Sequence, residues 1–244
     1  MMKKIIFLLL FVVVAGCEME SGFSLDSGGA SMGGSTARFT IAGEYLYTLD
    51  YNKLSTFHLK SETEVDLVNE LSIWRNDMET IFPYGGYLFI GSTTGVLIFS
   101  LANPAKPTEI SEFSHVVSCD PVVVQGDYAY STLRGGNRCG QSFNQLDVLD
   151  ISNIYNPTLI TSYQLTSPRG LAINGTCLYI CDDGLKVLDV SDHNNIREIN
   201  HIPDIPANDV IYYNNQLLVT ADDGFYQYNV SDCGNITSLG HFVY

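Results

Sequence analysis

A four-part pattern recurs five times between residues 38 and 244, and it constrains the fold more than any other feature of the sequence. Each copy begins with a short apolar stretch, a Gly or Asn turn and a second apolar stretch, as in GEYLY (43–47) and GGYLF (85–89). A third stretch such as LDVLDI (146–151) and a fourth such as EISEF (109–113) follow in most copies. Successive Gly or Asn turns begin 42, 41, 49 and 39 residues apart.

Four short strands in about forty residues are typical of one blade of a β-propeller. The sequence therefore predicts an all-β fold, a five-bladed propeller of four-stranded antiparallel blades. The five repeats are expected at about 38–78, 79–119, 120–167, 168–206 and 207–244. Because one sheet cannot hide both of its apolar faces, neighbouring blades should stack face to face. Ring closure should likewise bury the faces of the first and fifth blades against each other.

The N-terminus has the organisation of an export signal. Two lysines precede an unbroken apolar run of ten residues, 5–14, which is too short to span a bilayer. The segment Val14-Ala15-Gly16-Cys17 resembles the lipobox of bacterial lipoproteins, which implies cleavage after residue 16 and lipidation of Cys17. The alternative is a secreted protein with an unrelated cysteine near the cleavage site.

Residues 17–37 are predicted to be a lipidated cysteine followed by a flexible Gly/Ser-rich tether, which carries the globular part, 38–244, away from the membrane. Glu18 and Glu20 resemble the acidic signals that send some Bacteroidota lipoproteins to the cell surface. The expected location is therefore the bacterial cell envelope, at the outer membrane or the cell surface, with the lipid anchor as the membrane contact.

The charge of the mature chain excludes one class of partner. Removal of the signal with its two lysines leaves 10 basic residues against 27 acidic ones, a formal charge of −17. Such a balance argues against binding to nucleic acid or electrostatic adhesion to anionic lipid.

The third and fourth copies, with LDVLDISN (146–153) and LKVLDVSD (185–192), resemble the LVIVD repeat of bacterial and archaeal surface proteins. The other copies depart from this pattern, since the first and second lack the Asp and the fifth has Asn in its place. The resemblance implies a surface lipoprotein with a propeller domain that serves as a scaffold for binding. It supplies no catalytic residue.

Two functions of different classes follow from this sequence. The first is a lipid-anchored, non-catalytic module that binds a protein or glycan partner. The second is a propeller hydrolase or lyase with a polar, metal-assisted site at the mouth of the central channel, so catalysis is left open. The candidate binding residues lie before the first strands or in the long loop of the third copy: Asp120, Arg134, Arg138, Arg169 and Asp209.

Two acidic turns occupy the same place in the fourth and fifth copies, Asp182-Asp183-Gly184 and Asp222-Asp223-Gly224. An Asp-Gly pair is the expected hairpin turn, which makes the preceding Asp a solvated acid. The alternative is a calcium site formed by carboxylates of neighbouring loops. Because the rest of a calcium-loop pattern is missing, no metal and no other cofactor is expected.

Five cysteines remain once Cys17 is lipidated, so at least one thiol must stay free in an oxidising compartment. Cys119 precedes the first strand of the third copy, and Cys139 lies in its long loop. Both positions fall at the same end of an up-and-down blade, and the sequence therefore predicts a Cys119–Cys139 disulfide. Cys177 and Cys181, four residues apart on one strand, are too far apart to pair with each other.

Overall fold

The computed structural model describes residues 34–74, 78–114, 121–135 and 143–244. Twenty strands form five separate four-stranded sheets, and in each sheet the strands pair antiparallel in chain order. This arrangement confirms the predicted five-bladed propeller of four-stranded antiparallel blades.

The blades follow the sequence repeats, and their strands are numbered along the chain. Blade 1 contains β1 Phe39–Ala42, β2 Tyr45–Asp50, β3 Lys53–Ser61 and β4 Glu64–Ser72. Blade 2 contains β5 Met78–Tyr84, β6 Tyr87–Ser92, β7 Gly95–Ser100 and β8 Thr108–Ser114. Blade 3 contains β9 Val122–Gln125, β10 Tyr128–Arg134, β11 Asn144–Asp150 and β12 Thr158–Gln164.

The last two blades have the same order. Blade 4 contains β13 Leu171–Asn174, β14 Cys177–Cys181, β15 Leu185–Asp189 and β16 Arg197–Ile202. Blade 5 contains β17 Ala207–Tyr213, β18 Gln216–Ala221, β19 Gly224–Asp232 and β20 Asn235–Val243. We call the end at which each first strand begins the mouth end, and the opposite end the turn end.

The turn between the first and second strands explains the recurring Gly or Asn. Gly43, Gly85, Gly126 and Gly175 have φ between 58° and 61°, and Asn214 has φ 48°. This left-handed conformation favours residues without a β-branched side chain, so the predicted turns are confirmed.

The core lies between successive blades. The first strands pack in order, β1 against β5, β5 against β9, β9 against β13 and β13 against β17. Three clusters of buried apolar side chains fill these seams, one between blades 1 and 2, one across blades 2 to 4 and one between blades 4 and 5.

The seam between blades 5 and 1 is different, and the expectation that ring closure buries their faces against each other is wrong. No apolar cluster of the described residues joins these two blades. Phe39 and Ile41 of the innermost strand of blade 1 are exposed, as is Phe225 of blade 5. The physical reason lies in blade 5, whose facing side carries Gln216 and Gln227, so contact with blade 1 would bury less apolar area.

Candidate binding site at the channel mouth

The structure describes three of the five candidate binding residues, and all three lie at the mouth end. Arg134 ends β10, Arg169 leads into β13 and Asp209 lies in β17. Asp120 and Arg138 fall outside the described residues, and so does the predicted Cys119–Cys139 disulfide. That bridge stays a prediction.

Asp209 is held by the chain segment that precedes blade 1. Its carboxylate accepts hydrogen bonds from Ser35 Oγ at 3.1 Å and from Thr36 Oγ1 at 2.6 Å. The backbone N–H groups of Thr36 and Val210 also donate to it, at 3.4 and 2.9 Å. Both carboxylate oxygens are therefore already engaged within the protein.

The same segment reaches two further blades, which makes it a clasp across the mouth. Ser35 Oγ accepts the N–H of Leu171 in blade 4 at 2.7 Å, and the carbonyl of Ala37 accepts the N–H of Ile81 in blade 2 at 2.9 Å. We call residues 34–37 together with Asp209 the clasp. The predicted tether is therefore wrong for 34–37, since Gly, Ser and Thr without apolar periodicity give no signal for such contacts.

Glycine is required on both sides of the Asp209 side chain. A Cβ built on Gly34 would lie 2.0 Å from Asp209 Oδ2, and one on Gly170 would lie 2.0 Å from Oδ1. Atoms cannot approach so closely, so any larger residue at either position would displace the carboxylate. Burial raises the pKa of Asp209, and the hydrogen bonds from Thr36, Val210 and Ser35 offset part of this effect.

Arg169 ties three blades together at the mouth. Its N–H donates to the Cys181 carbonyl at 2.8 Å, and its own carbonyl accepts from Thr132 Oγ1 in blade 3 at 2.9 Å. Its guanidinium lies 3.6 Å from the carboxylate of Asp222 in blade 5, which also accepts from Asn208 Nδ2 at 2.7 Å. The guanidinium remains half-buried and accessible from solvent, so it can still bind an acidic or polar group.

Arg134 lies close to this site because Thr132, two residues earlier on β10, bonds to the Arg169 carbonyl. Arg134 itself pairs across the sheet with Asn144 and is half-buried. The structure thus places two of the few cations of this acidic protein at the mouth ends of neighbouring blades.

The two acidic turns have different environments. Asp183 and Gly184 have positive φ, which agrees with the predicted hairpin turn. Asp182, however, is not the solvated acid that the turn predicts, because it is buried and accepts from the N–H groups of Thr166 and Ser167 and from Lys186 Nζ at 2.8 Å. It joins the linker between blades 3 and 4 to its own blade.

A calcium ion would have to compete with these bonds at Asp182. In the parts of the chain that the structure describes, no three His, Cys, Asp or Glu side chains converge as metal ligands. The calcium alternative at Asp182, Asp183, Asp222 and Asp223 therefore gains no support from the geometry and stays untested.

A disulfide joins blades 4 and 5 at the turn end, between Cys177 and Cys233, whose Cα atoms are 5.4 Å apart. Cys177 begins β14, and Cys233 lies in the turn between β19 and β20. No prediction from the sequence covers this pair. The repeat nevertheless contains its signal, since the turn before a second strand and the turn after a third strand both lie at the turn end. Cys181 is a free, buried thiol whose pKa is raised by that burial.

One histidine also has a structural role that no local sequence pattern predicts. His193, in the turn between β15 and β16, stacks on Tyr128 of blade 3 with ring centroids 3.6 Å apart, and its Nε2 lies 3.0 Å from Tyr130 Oη. It therefore helps to hold blade 4 against blade 3.

Within the described ranges there is no helix long and apolar enough to span a membrane.

Comparison with known proteins supports the repeat and the fold. The LVIVD repeat model matches residues 79–114, 118–165 and 167–201, which correspond to blades 2, 3 and 4. The second copy is thus matched although it lacks the Asp of the third and fourth. No curated protein sequence matches the chain.

Solved structures resemble the chain at low identity. The periplasmic gluconolactonase PpgL of Pseudomonas aeruginosa is 14% identical with a TM-score of 0.65, over 82% of this chain and 68% of that one. AztD of Citrobacter koseri is 12% identical with a TM-score of 0.60, over 83% of this chain and 60% of that one. BamB of Moraxella catarrhalis is 11% identical with a TM-score of 0.50, over 83% of this chain and 62% of that one.

These likenesses extend over most of this chain but only about two thirds of each solved structure, and at such identity they concern the fold alone. Together with the five four-stranded sheets and the three repeat matches, they identify the architecture. The protein is a five-bladed β-propeller that contains LVIVD repeats.

Proposed function

We propose that this protein is a lipid-anchored binding module of the bacterial cell envelope, at the outer membrane or the cell surface, which holds a protein or glycan partner without catalysing a reaction. The Val-Ala-Gly-Cys segment and the polar stretch after it support the anchor. The acidic composition argues against nucleic acid as the partner.

The observation that carries the non-catalytic proposal is the state of Asp209. A general base or a metal-binding carboxylate at the mouth needs a lone pair that faces a substrate. Asp209 instead accepts hydrogen bonds from Ser35, Thr36 and Val210. It holds the clasp in place.

The proposed partner contact is the accessible part of the mouth, with Arg169 at its centre and Arg134 beside it. Asp120, Arg138 and the predicted Cys119–Cys139 bridge belong to the same proposal, because they would fix the long loop of blade 3 next to these cations. No cofactor is required for this role.

Binding and catalysis are separated by two assays on the mature Cys17→Ser protein. We expect no turnover on a panel of hydrolase, lyase and lactonase substrates, and we expect a glycan array or envelope-protein capture to give ligands that the Arg169→Gln variant loses. Lys106→Gln removes an exposed cation from the turn end of blade 2 and is the matched control.

Two results would contradict the proposal. Turnover that Asp209→Asn abolishes would favour the hydrolase or lyase. Equal ligand capture by wild type and Arg169→Gln would remove the mouth from the binding surface.

The anchor is tested separately. Replacement of Cys17 by Ser removes the thiol that carries the lipid, so we expect the protein to move from the membrane fraction to the soluble fraction. Fractionation with mass spectrometry of the N-terminal peptide measures this change. A variant that stays with the membrane, together with a wild type that lacks acyl mass, would refute lipidation.

A further inference from the structure

The face of blade 1 that points away from blade 2 is apolar and uncovered. Ile41 pairs with Leu46 and Leu46 with Phe57 across the sheet, so these three side chains share one face, together with Phe39 two residues before Ile41. Phe39 and Ile41 are 63% and 58% exposed. We call these four residues the open face of blade 1.

The position of Phe39 is buried in every other blade. The counterparts of Phe39 are Ile81, Val122, Leu171 and Val210, which are at most 2% exposed. Each of these packs in the core, whereas Phe39 contacts no apolar cluster. The exposure in blade 1 is therefore a property of this seam and not of the repeat.

Blade 5 presents a mixed face across the same seam. Leu218 pairs with Ile211 and with Gln227, and Thr220 pairs with Phe225. Phe225 is 36% exposed, and Gln227 Nε2 donates to Gln216 Oε1 at 2.7 Å on the surface of the sheet. A surface of mixed polarity suits a non-obligate interface, since such interfaces are no more apolar than the rest of the protein surface.

Acidic residues outnumber basic ones in both blades. Residues 207–244 contain four Asp and no Lys or Arg. Asp209 is engaged in the clasp and Asp222 is paired with Arg169, which leaves Asp223 and the exposed Asp232. Blade 1 adds exposed acids such as Glu44 and Asp50, while its Lys53 and Lys60 are paired with Glu70 and Asp66. Arg38, which directly precedes Phe39, is exposed and lies over the Tyr51 ring. The seam thus has an apolar centre, and the charges on the two blades that border it are predominantly acidic.

We propose that this seam is the docking surface for a protein partner that inserts an apolar segment flanked by Lys or Arg side chains. Cationic flanks fit the predominantly acidic charges that border the seam, and apolar side chains between them would cover Phe39 and Ile41. A second copy of this chain fits less well, because a formal charge of −17 on each copy opposes self-association. The inference rests on the proposed function in one respect, that the partner is a protein, and it adds a surface distinct from the mouth.

A defined peptide tests this chemistry. The probe is a fluorescent twelve-residue peptide of alternating Val and Lys, added to the mature Cys17→Ser protein and followed by fluorescence anisotropy at two salt concentrations. We expect saturable binding that the Phe39→Ser/Ile41→Ser variant weakens at least about tenfold, since two apolar contacts are lost. Both side chains are exposed, so this variant should keep the wild-type melting curve.

Matched controls separate apolar docking from attraction between charges. Tyr155→Ser removes an exposed aromatic ring from blade 3 and should leave binding unchanged. A peptide with Ser in place of Val keeps the charge and should bind at least about tenfold more weakly. Equal binding by this peptide, equal binding by the Phe39→Ser/Ile41→Ser variant, or no binding of the Val/Lys peptide would each overturn the proposal.

Sedimentation velocity tests whether a second copy of this chain occupies the seam. A monomer over the accessible concentration range agrees with the proposal, and a dimer that Phe39→Ser/Ile41→Ser dissociates would assign the seam to a second copy instead. None of these outcomes bears on partner binding at the mouth, for which ligand capture by the Arg169→Gln variant remains the test.

Discussion

The seam between blades 4 and 5 is closed, and the seam between blades 5 and 1 is open, although both are bordered by sheets of the same repeat. Between blades 4 and 5 an apolar cluster includes Tyr179, Leu217 and Val219, and the Cys177–Cys233 disulfide crosses the turn end. Between blades 5 and 1 Phe39 is exposed. Two blades of the same backbone architecture therefore do not pack against each other unless their facing side chains allow it.

The side chains at equivalent positions account for the difference. Where blades 1 to 4 carry Thr56, Ile98, Val148 and Val187, all buried, blade 5 carries Gln227. Burial of this amide against another sheet would cost free energy unless every polar atom found a partner. The clasp supplies the connection between the N-terminal segment and blade 5 by hydrogen bonds to Asp209 instead.

The largest effect is expected from the disulfide of the closed seam. The Cys177→Ser/Cys233→Ser variant should lose about 4 kcal/mol of unfolding free energy, because the bridge links positions 56 residues apart. Chemical denaturation of oxidised and reduced protein measures this loss. Cys181→Ala, which removes a buried thiol without opening a crosslink, is the control. A double variant as stable as the wild type would mean that blades 4 and 5 hold together without the bridge.

A second comparison uses adjacent leucines of β18 that point to opposite seams. Leu217 is fully buried against blade 4, so Leu217→Ala should cost about 3 kcal/mol through lost burial and a cavity. Leu218 is only half-buried on the open side, and Leu218→Ala should cost about 1 kcal/mol or less. Urea denaturation of both variants measures the ratio. Equal losses would show that the seam between blades 5 and 1 is filled in solution.

The sequence predicts the blades well because their signal is local. Each Gly or Asn turn and each alternating stretch can be recognised in its own copy, and the five copies support one another. The features that depend on distant residues were missed. Ser35 and Thr36 bond to an Asp 173 or more positions away, and Cys177 bonds to a cysteine of the next blade. No local pattern encodes such contacts.

The open seam between blades 5 and 1 is partly predictable from the sequence. Gln216 and Gln227 stand in blade 5 at positions where no other blade has an amide side chain. A comparison of the copies face by face therefore indicates a polar face on blade 5. Counting repeats alone predicts a ring and ignores which of its faces can bury apolar area.

The smallest predicted effect concerns the clasp and its dependence on pH. Burial raises the pKa of Asp209 in the folded protein above its value in the unfolded chain, about 3.9. The folded state therefore binds this proton more tightly, and the free energy of unfolding should fall as pH rises from about 4 through the raised pKa. Asp209→Asn removes the titrating group, so the stability of the wild type relative to the variant should fall across that range. Denaturation at several pH values measures it, with Asp204→Asn, an exposed acid of the preceding linker, as the control. A difference that stays constant with pH would mean that the Asp209 carboxyl titrates alike in the folded and unfolded protein, and that the clasp does not bury it.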